Sequence, residues 1–249
     1  MPRATKLRRQ AAPRPLLPPA LRSPAAVLVT GCAAVTASLA LAFAGQARPD
    51  GLDAVVDAHV RSALGRYGAQ THLLAGLGGL GPVTVLTAAL VLACLATRRW
   101  RGAVLAGLAV PAAVALTEYV LKPLVGRTIG GYPCFPSGHA TALFALAATC
   151  TVLLAGPARP RLPGVVRLLL VLGAALIATA VATAMVALGY HYFTDTVAGM
   201  AVAIGMVLLT ALLIDRAARA PRAGSRGDPG VAIPVTTPPG VSARPAGQN

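Results

Sequence analysis

The sequence predicts an all-α integral membrane protein built as a six-helix bundle, and three observations carry that expectation. Of 249 residues, 56% are hydrophobic and only 12% are charged, about half the usual charged share of a soluble domain. Mean hydropathy is +0.70, so a water-facing surface cannot be assembled from these side chains. The apolar residues fall into blocks of bilayer-spanning length, and the basic residues sit between the blocks rather than within them.

Residues 1–24 carry Arg3, Lys6, Arg8, Arg9, Arg14 and Arg22, several prolines and no acidic residue, the composition of a basic disordered tail. The first apolar block, about 25–45, is long enough to cross a hydrocarbon core of roughly 30 Å at about 1.5 Å per residue. Its basic leader and the Ala42-Phe43-Ala44 triplet resemble a signal peptide, but the block exceeds the usual signal core, so a retained anchor is expected. Further spans are expected at about 73–96, 102–121, 140–155, 165–188 and 196–214. The domain expectation is therefore a tail at 1–24, a six-helix membrane domain at 25–214 and a second flexible, Pro-, Gly- and Arg-rich tail at 215–249.

The formal charge of +15 does not indicate nucleic acid, because aromatics are only 4% and no basic stretch carries the run of aromatics that base stacking needs. Instead the charges give an orientation. If six spans alternate, the N-terminal tail, Arg98, Arg99 and Arg101, then Arg159, Arg161 and Arg167, and the C-terminal arginines 216, 219, 222, 226 and 244 share one side. That side is expected to be cytoplasmic, with both termini there, in a multi-pass protein of the plasma (inner) membrane. The four cysteines are too few and too scattered for a disulfide framework: Cys32, Cys94 and Cys150 lie in apolar blocks and Cys134 in a loop.

The opposite side receives residues 46–72, 122–137 and 189–195, and most of the remaining polar chemistry. In 46–72, Leu52, Val55, Val56, Val60, Ala63, Leu64 and Tyr67 recur near helical spacing, with Asp53, Asp57, Arg61 and Arg66 between them. The pattern reads either as an interfacial helix, a lid or entry ramp started by an Asp50 cap, or as a plain solvated connector. Tyr132, Tyr190 and Tyr192 are expected in the interfacial aromatic belt, and His59 and His72 at solvent or interface.

Two polar clusters stand where long helices meet this outer boundary: Lys122, Arg127, Ser137 and His139, and then His191 with Asp195 four residues on. Ionisable groups there are costly unless paired, hydrated or functional. A phosphate ester needs cations or N–H donors around its oxygens, a nucleophile in line with the leaving group and an acid to protonate the departing oxygen. Lys122 and Arg127 supply charge, Gly138 lets a helix N-terminus approach the anion, and two imidazoles with one carboxylate supply a nucleophile and an acid. Glu118, one turn before Lys122, is expected to pair with it.

Pro136-Ser137-Gly138-His139 and Gly189-Tyr190-His191-Tyr192-Phe193-Thr194-Asp195 resemble the second motif and the end of the third motif of the type 2 phosphatidic acid phosphatase (PAP2) superfamily. The resemblance covers about 70–214 and implies a PAP2/haloperoxidase-like core. It assigns His191 as the nucleophile that forms a phosphohistidine, Asp195 as its orienting partner and His139 as general acid. Lys122, Ser137 and the Gly138 backbone are then expected to hold phosphate, with Arg127 beside them. No metal and no cofactor is implied, and no carboxylate or His and Cys set suited to one stands out. Two positions depart from the pattern: Ile129-Gly130 stands where the first motif ends in Arg-Pro, and Ala184-Met185 where the third opens with Ser-Arg.

The functional expectation is a metal-independent membrane phosphatase acting on a lipid phosphate or prenyl phosphate, monoester or diphosphate, at the non-cytoplasmic interface. Its partners are then the substrate and membrane lipids. The alternatives are a catalytically silent lipid-phosphate binder or scaffold, and a small transporter, which the absence of mid-span charges disfavours.

Overall fold

A computed structural model describes residues 15–156 and 162–219. The described residues are all-α apart from one two-stranded hairpin: α1 (Pro19–Phe43), α2 (Gly51–Leu64), α3 (Gly68–Leu77), α4 (Leu80–Ala96), α5 (Trp100–Ala115), α6 (Lys122–Val125), α7 (Gly138–Ala155), α8 (Gly164–Ala187) and α9 (Phe193–Ala217). A 3-10 turn, Gly65–Tyr67, links α2 to α3, and a π-helical turn, Leu116–Leu121, links α5 to α6.

Among the described residues, five helices are long and apolar enough to cross a membrane, α5 being counted through to Val125. The sixth expected span, 73–96, is not one straight helix. It breaks at Gly78-Gly79, and the chain before and after the break is bent by 48°. The apolar composition made the two pieces look continuous, whereas the paired glycines let the backbone turn.

The first helix begins at Pro19 rather than near residue 25, with proline at the helix start, where its missing N–H is not needed. Just before it, the N–H groups of Leu16 and Leu17 donate to Asp215 near the end of α9, at 2.8 and 2.9 Å. Residues 15–24 are therefore anchored, not part of a tail, and α9 extends to Ala217, past the expected boundary at 214. Residues 1–14 and 220–249, with Arg159 and Arg161, lie outside the described residues.

α7 is the central helix, packed against α5, α8 and α9, while α1 lies along α9. The core is rich in alanine and valine, and small residues bring backbones close. Gly199 of α9 makes the closest approach to another backbone: a Cβ there would stand 2.6 Å from the Ser137 carbonyl oxygen and 3.0 Å from Thr141 Oγ1. This contact sets the start of α7 against the start of α9, the two places that carry His139 and His191. An apolar cavity of about 600 Å³ lies between α4, α7 and α8, lined by Cys94, Cys150 and Leu153 among others, at the far end of α7 from His139.

Candidate active site

Three elements build the site from one end of the bundle. Between Gly126 and Ser137 the chain forms a hairpin, β1 (Thr128–Ile129) and β2 (Tyr132–Pro133), with Thr128 opposite Pro133 and Ile129 opposite Tyr132. Its two turn residues, Gly130 and Gly131, have φ of 57° and 86°, the left-handed pair that a two-residue hairpin favours. The hairpin returns Cys134 to the start, where its N–H donates to the Arg127 carbonyl at 2.9 Å. The Cys134 carbonyl then meets the buried His191 ring.

That contact fixes the chemistry of His191. Its Nδ1 lies 2.8 Å from the Cys134 carbonyl oxygen and 3.7 Å from Asp195 Oδ2. A carbonyl only accepts, so Nδ1 carries the proton, and in the neutral ring Nε2 keeps its lone pair. Asp195 lies beside the ring, but its direct bonds go elsewhere. Oδ2 accepts the Tyr192 N–H at 2.9 Å and Oδ1 accepts from Arg127 at 2.7 Å. Asp195 thus also caps α9, a role that its place in the first turn allows.

Arg127 occupies a different place from the one expected. Its side chain is fully buried, with one terminal nitrogen on Asp195 Oδ1 and Thr194 Oγ1 and the other on Asp53 Oδ2 at 2.6 Å. The guanidinium is also stacked by the Phe43 and Tyr192 rings, 4.0 and 4.3 Å from their centres. Burial alone would lower its pKa, but Asp195 and Asp53 outweigh it and hold the group above its usual value. Both forked ends are taken by carboxylates and Thr194, so Arg127 braces the site and does not face a phosphate. Tyr192 is likewise buried against it rather than in the interfacial belt, where the exposed Tyr132 and Tyr190 remain.

Asp53 and Asp57 are the participants that the sequence reading missed. α2 forms as its period suggested, but its buried face carries these two carboxylates while Leu52 and Val55 are exposed. Asp53 accepts the Thr194 N–H at 2.9 Å and its hydroxyl at 2.8 Å; Asp57 accepts the Phe193 N–H at 3.1 Å. Three aspartates therefore satisfy the first N–H groups of α9 and complement its positive end, with Arg127 paired to Asp53 and Asp195 and Arg61 to Asp57. Two acids at i and i+4, in a chain with only seven, were the available signal. Asp50 precedes α2 but its side chain does not cap it.

The second half of the site gathers around α7. Ser137 caps the helix, its Oγ accepting the Ala140 N–H at 3.4 Å, and its own N–H donates to the Asp195 carbonyl at 3.0 Å. His139 follows in the first turn, with Gly78 of the α3–α4 break packed on its ring. Lys122 Nζ lies 3.9 Å from where a Cβ on the neighbouring Gly138 would stand, so the lysine meets the first turn of the same helix. Lys122 reaches it through the π turn, in which its N–H bonds to the Thr117 carbonyl five residues back. Such a turn absorbs Pro123, whose ring cannot continue the regular ladder. Lys122 Nζ pairs with Glu118 Oε2 at 2.7 Å, as the spacing predicted.

Ile129 lies in the hairpin, and Met185 packs with Ala75 and Ala184 in a small apolar cluster, so neither departure from the motif is offset by a cation at that position. Burial pushes the Cys134 thiol up, and the Asp195 charge adds to the shift. Among the described residues no group of three or more His, Cys, Asp or Glu is arranged to hold a metal ion. Residues 117–219 match the family model described as the PAP2 superfamily. No curated protein and no solved structure gives a significant match.

Proposed function

Residues 117–219 of this multi-pass membrane protein match the PAP2 superfamily model, and on that premise we propose that the chain hydrolyses a lipid phosphate monoester or diphosphate through a phosphohistidine. The observation that carries the reading is the 2.8 Å contact from His191 Nδ1 to the Cys134 carbonyl, because it leaves the Nε2 lone pair free to act as a nucleophile.

In the first step His191 Nε2 attacks phosphorus while His139 protonates the departing alcohol or phosphate oxygen, giving phosphohistidine and the free leaving group. The Cys134 carbonyl and the nearby Asp195 carboxylate favour the positive charge that develops on the ring. Water then attacks phosphorus, His139 accepts its proton, and His191 departs with its lone pair restored. Lys122, the Ser137 hydroxyl and the Gly138 N–H stabilise the phosphoryl oxygens. Arg127 acts behind the ring, holding Asp195 against α9.

A membrane-tethered substrate is favoured because the site opens at one end of a bundle whose outer surface is apolar. The arginine cluster 98, 99 and 101 lies at the opposite end, which supports a site on the non-cytoplasmic side with both termini in the cytoplasm. Placement in the plasma (inner) membrane completes the reading.

The test is phosphate release by detergent-purified protein from a panel of lipid phosphates and diphosphates, in the presence of a chelator. Release that disappears in His191→Ala and persists in Cys134→Ala supports the reading; strict dependence on added divalent metal contradicts it. A silent lipid-phosphate binder is the second reading, favoured by the commitment of Arg127 to carboxylates and by Ile129 and Met185. It predicts binding without release across the whole panel.

A further inference from the structure

We infer that Glu118 is a specificity-determining residue whose carboxylate stands in the phosphate cradle and competes with free phosphate. The inference rests on the proposed site and concerns what that site selects. One carboxylate oxygen lies against Gly138, where a Cβ would collide with it, and the other pairs with Lys122 Nζ at 2.7 Å. The Lys122 ammonium lies 3.9 Å from the same Cβ position. The carboxylate thus lies between the lysine and the first turn of α7, and its two oxygens stand in for two non-bridging oxygens of a phosphoryl group.

The π turn places it there. Leu116–Leu121 opens the helix immediately before Lys122, carrying Glu118 and Lys122 toward the start of α7. The charge balance gives the placement its consequence. With Arg127 committed to Asp53 and Asp195, Lys122 supplies the formal charge next to Gly138, and Glu118 cancels it. An entering phosphate must displace a resident anion that is already paired.

The exchange disfavours a small dianion, which brings nothing beyond its own charge. It is tolerated by a phosphoryl group on a long apolar chain, because burial of that chain offsets the displacement. Glu118 therefore sets a threshold that tethered lipid phosphates clear and small soluble ones do not, and it weakens retention of the inorganic phosphate product. The displaced carboxylate remains within reach of the leaving group, where it can accept a hydrogen bond from a hydroxyl on the substrate head.

The experiment measures binding of inorganic phosphate, and separately of orthovanadate, to the full-length purified protein by calorimetry, comparing wild type with Glu118→Gln and Glu118→Ala. Thermal melts confirm that each variant is folded, and Glu118→Ala serves if Glu118→Gln is not. The expected result is tighter binding in the variants by on the order of tenfold, the scale of one charged hydrogen bond. A matching fall is expected in KM for a short-chain soluble phosphate. Unchanged or weaker phosphate binding in the variants overturns the inference, since it makes Glu118 only a prop for Lys122; phosphate binding to none of the proteins also overturns it. The calorimetric readout needs no turnover. Tighter binding in a protein that hydrolyses nothing would sustain the role of Glu118 while the phosphatase reading fails.

Discussion

The Nδ1 atom of His191 is 2.8 Å from the carbonyl oxygen of Cys134, closer than the 3.7 Å that separates it from the Asp195 carboxylate. The ring at the start of α9 is therefore aimed by a backbone atom from the hairpin that precedes α7. Two parts of the chain 57 residues apart must hold their register for Nε2 to point into the pocket.

The Cys134 side chain is expected to be dispensable although its backbone is not. Cys134→Ala keeps the carbonyl and is predicted to release phosphate at close to the wild-type rate. Gly131→Ala places a Cβ on a residue with φ of 86°, costing about 1–2 kcal/mol, and is predicted to lower kcat by moving the hairpin. The thiol is expected to resist maleimide at pH 7 to 8. Its pKa is raised by burial first and by Asp195 second, so the reactive thiolate is scarce until the pH is well above the usual thiol range. Labelling rates across pH check this.

Removing Arg127 leaves Asp53 and Asp195 buried without their cation, and removing Asp53 leaves one guanidinium nitrogen and the Thr194 N–H and hydroxyl without their acceptor. Asp53→Ala and Arg127→Met are each predicted to destabilise the protein by about 3–5 kcal/mol, read from denaturation in detergent. The double variant is predicted to lose less than the sum of the two. Arg127→Lys is not expected to rescue, because a single ammonium cannot reach both aspartates as the fork does. If Arg127 instead held substrate, its loss would raise KM and leave the melt unchanged.

Gly199→Ala is predicted to reduce both stability and phosphate release, since the new Cβ would stand 2.6 Å from a backbone oxygen at the start of α7. Gly173→Ala on α8 meets nothing within 4 Å and is predicted to be neutral or stabilising by up to about 1 kcal/mol. Parallel melts and activity assays separate a packing clash from a general intolerance of alanine.

If His139 protonates the leaving oxygen, its removal matters in proportion to how much that oxygen needs a proton. His139→Ala is predicted to slow release from an alkyl phosphate by roughly 10²–10⁴-fold, and far less from an aryl phosphate with an acidic phenol. Equal losses on both substrates would assign His139 to binding instead.

Much of the fold was legible because membrane spans announce themselves by length and apolarity, which read along the chain. The break at Gly78-Gly79 and the early start of α1 were not, because both depend on what the segment packs against. At the site, His139, His191, Asp195, Lys122 and Ser137 came from short motifs and lie together. Arg127 was read as a phosphate ligand because its carboxylate partner Asp53 lies 74 positions away, on a helix whose apolar residues suggested the opposite burial. The Cys134 carbonyl could not be read from side-chain chemistry, since every residue offers the same oxygen.

The central claim is that phosphorus passes through His191. The most direct measurement is rapid quenching of enzyme with a ³²P-labelled lipid phosphate substrate, followed by mapping of the bound label. The account predicts an alkali-stable, acid-labile label on His191, absent from His191→Ala and accumulating when water attack is slowed. Turnover with no covalent label at any quench time, or label that persists in His191→Ala, would contradict it.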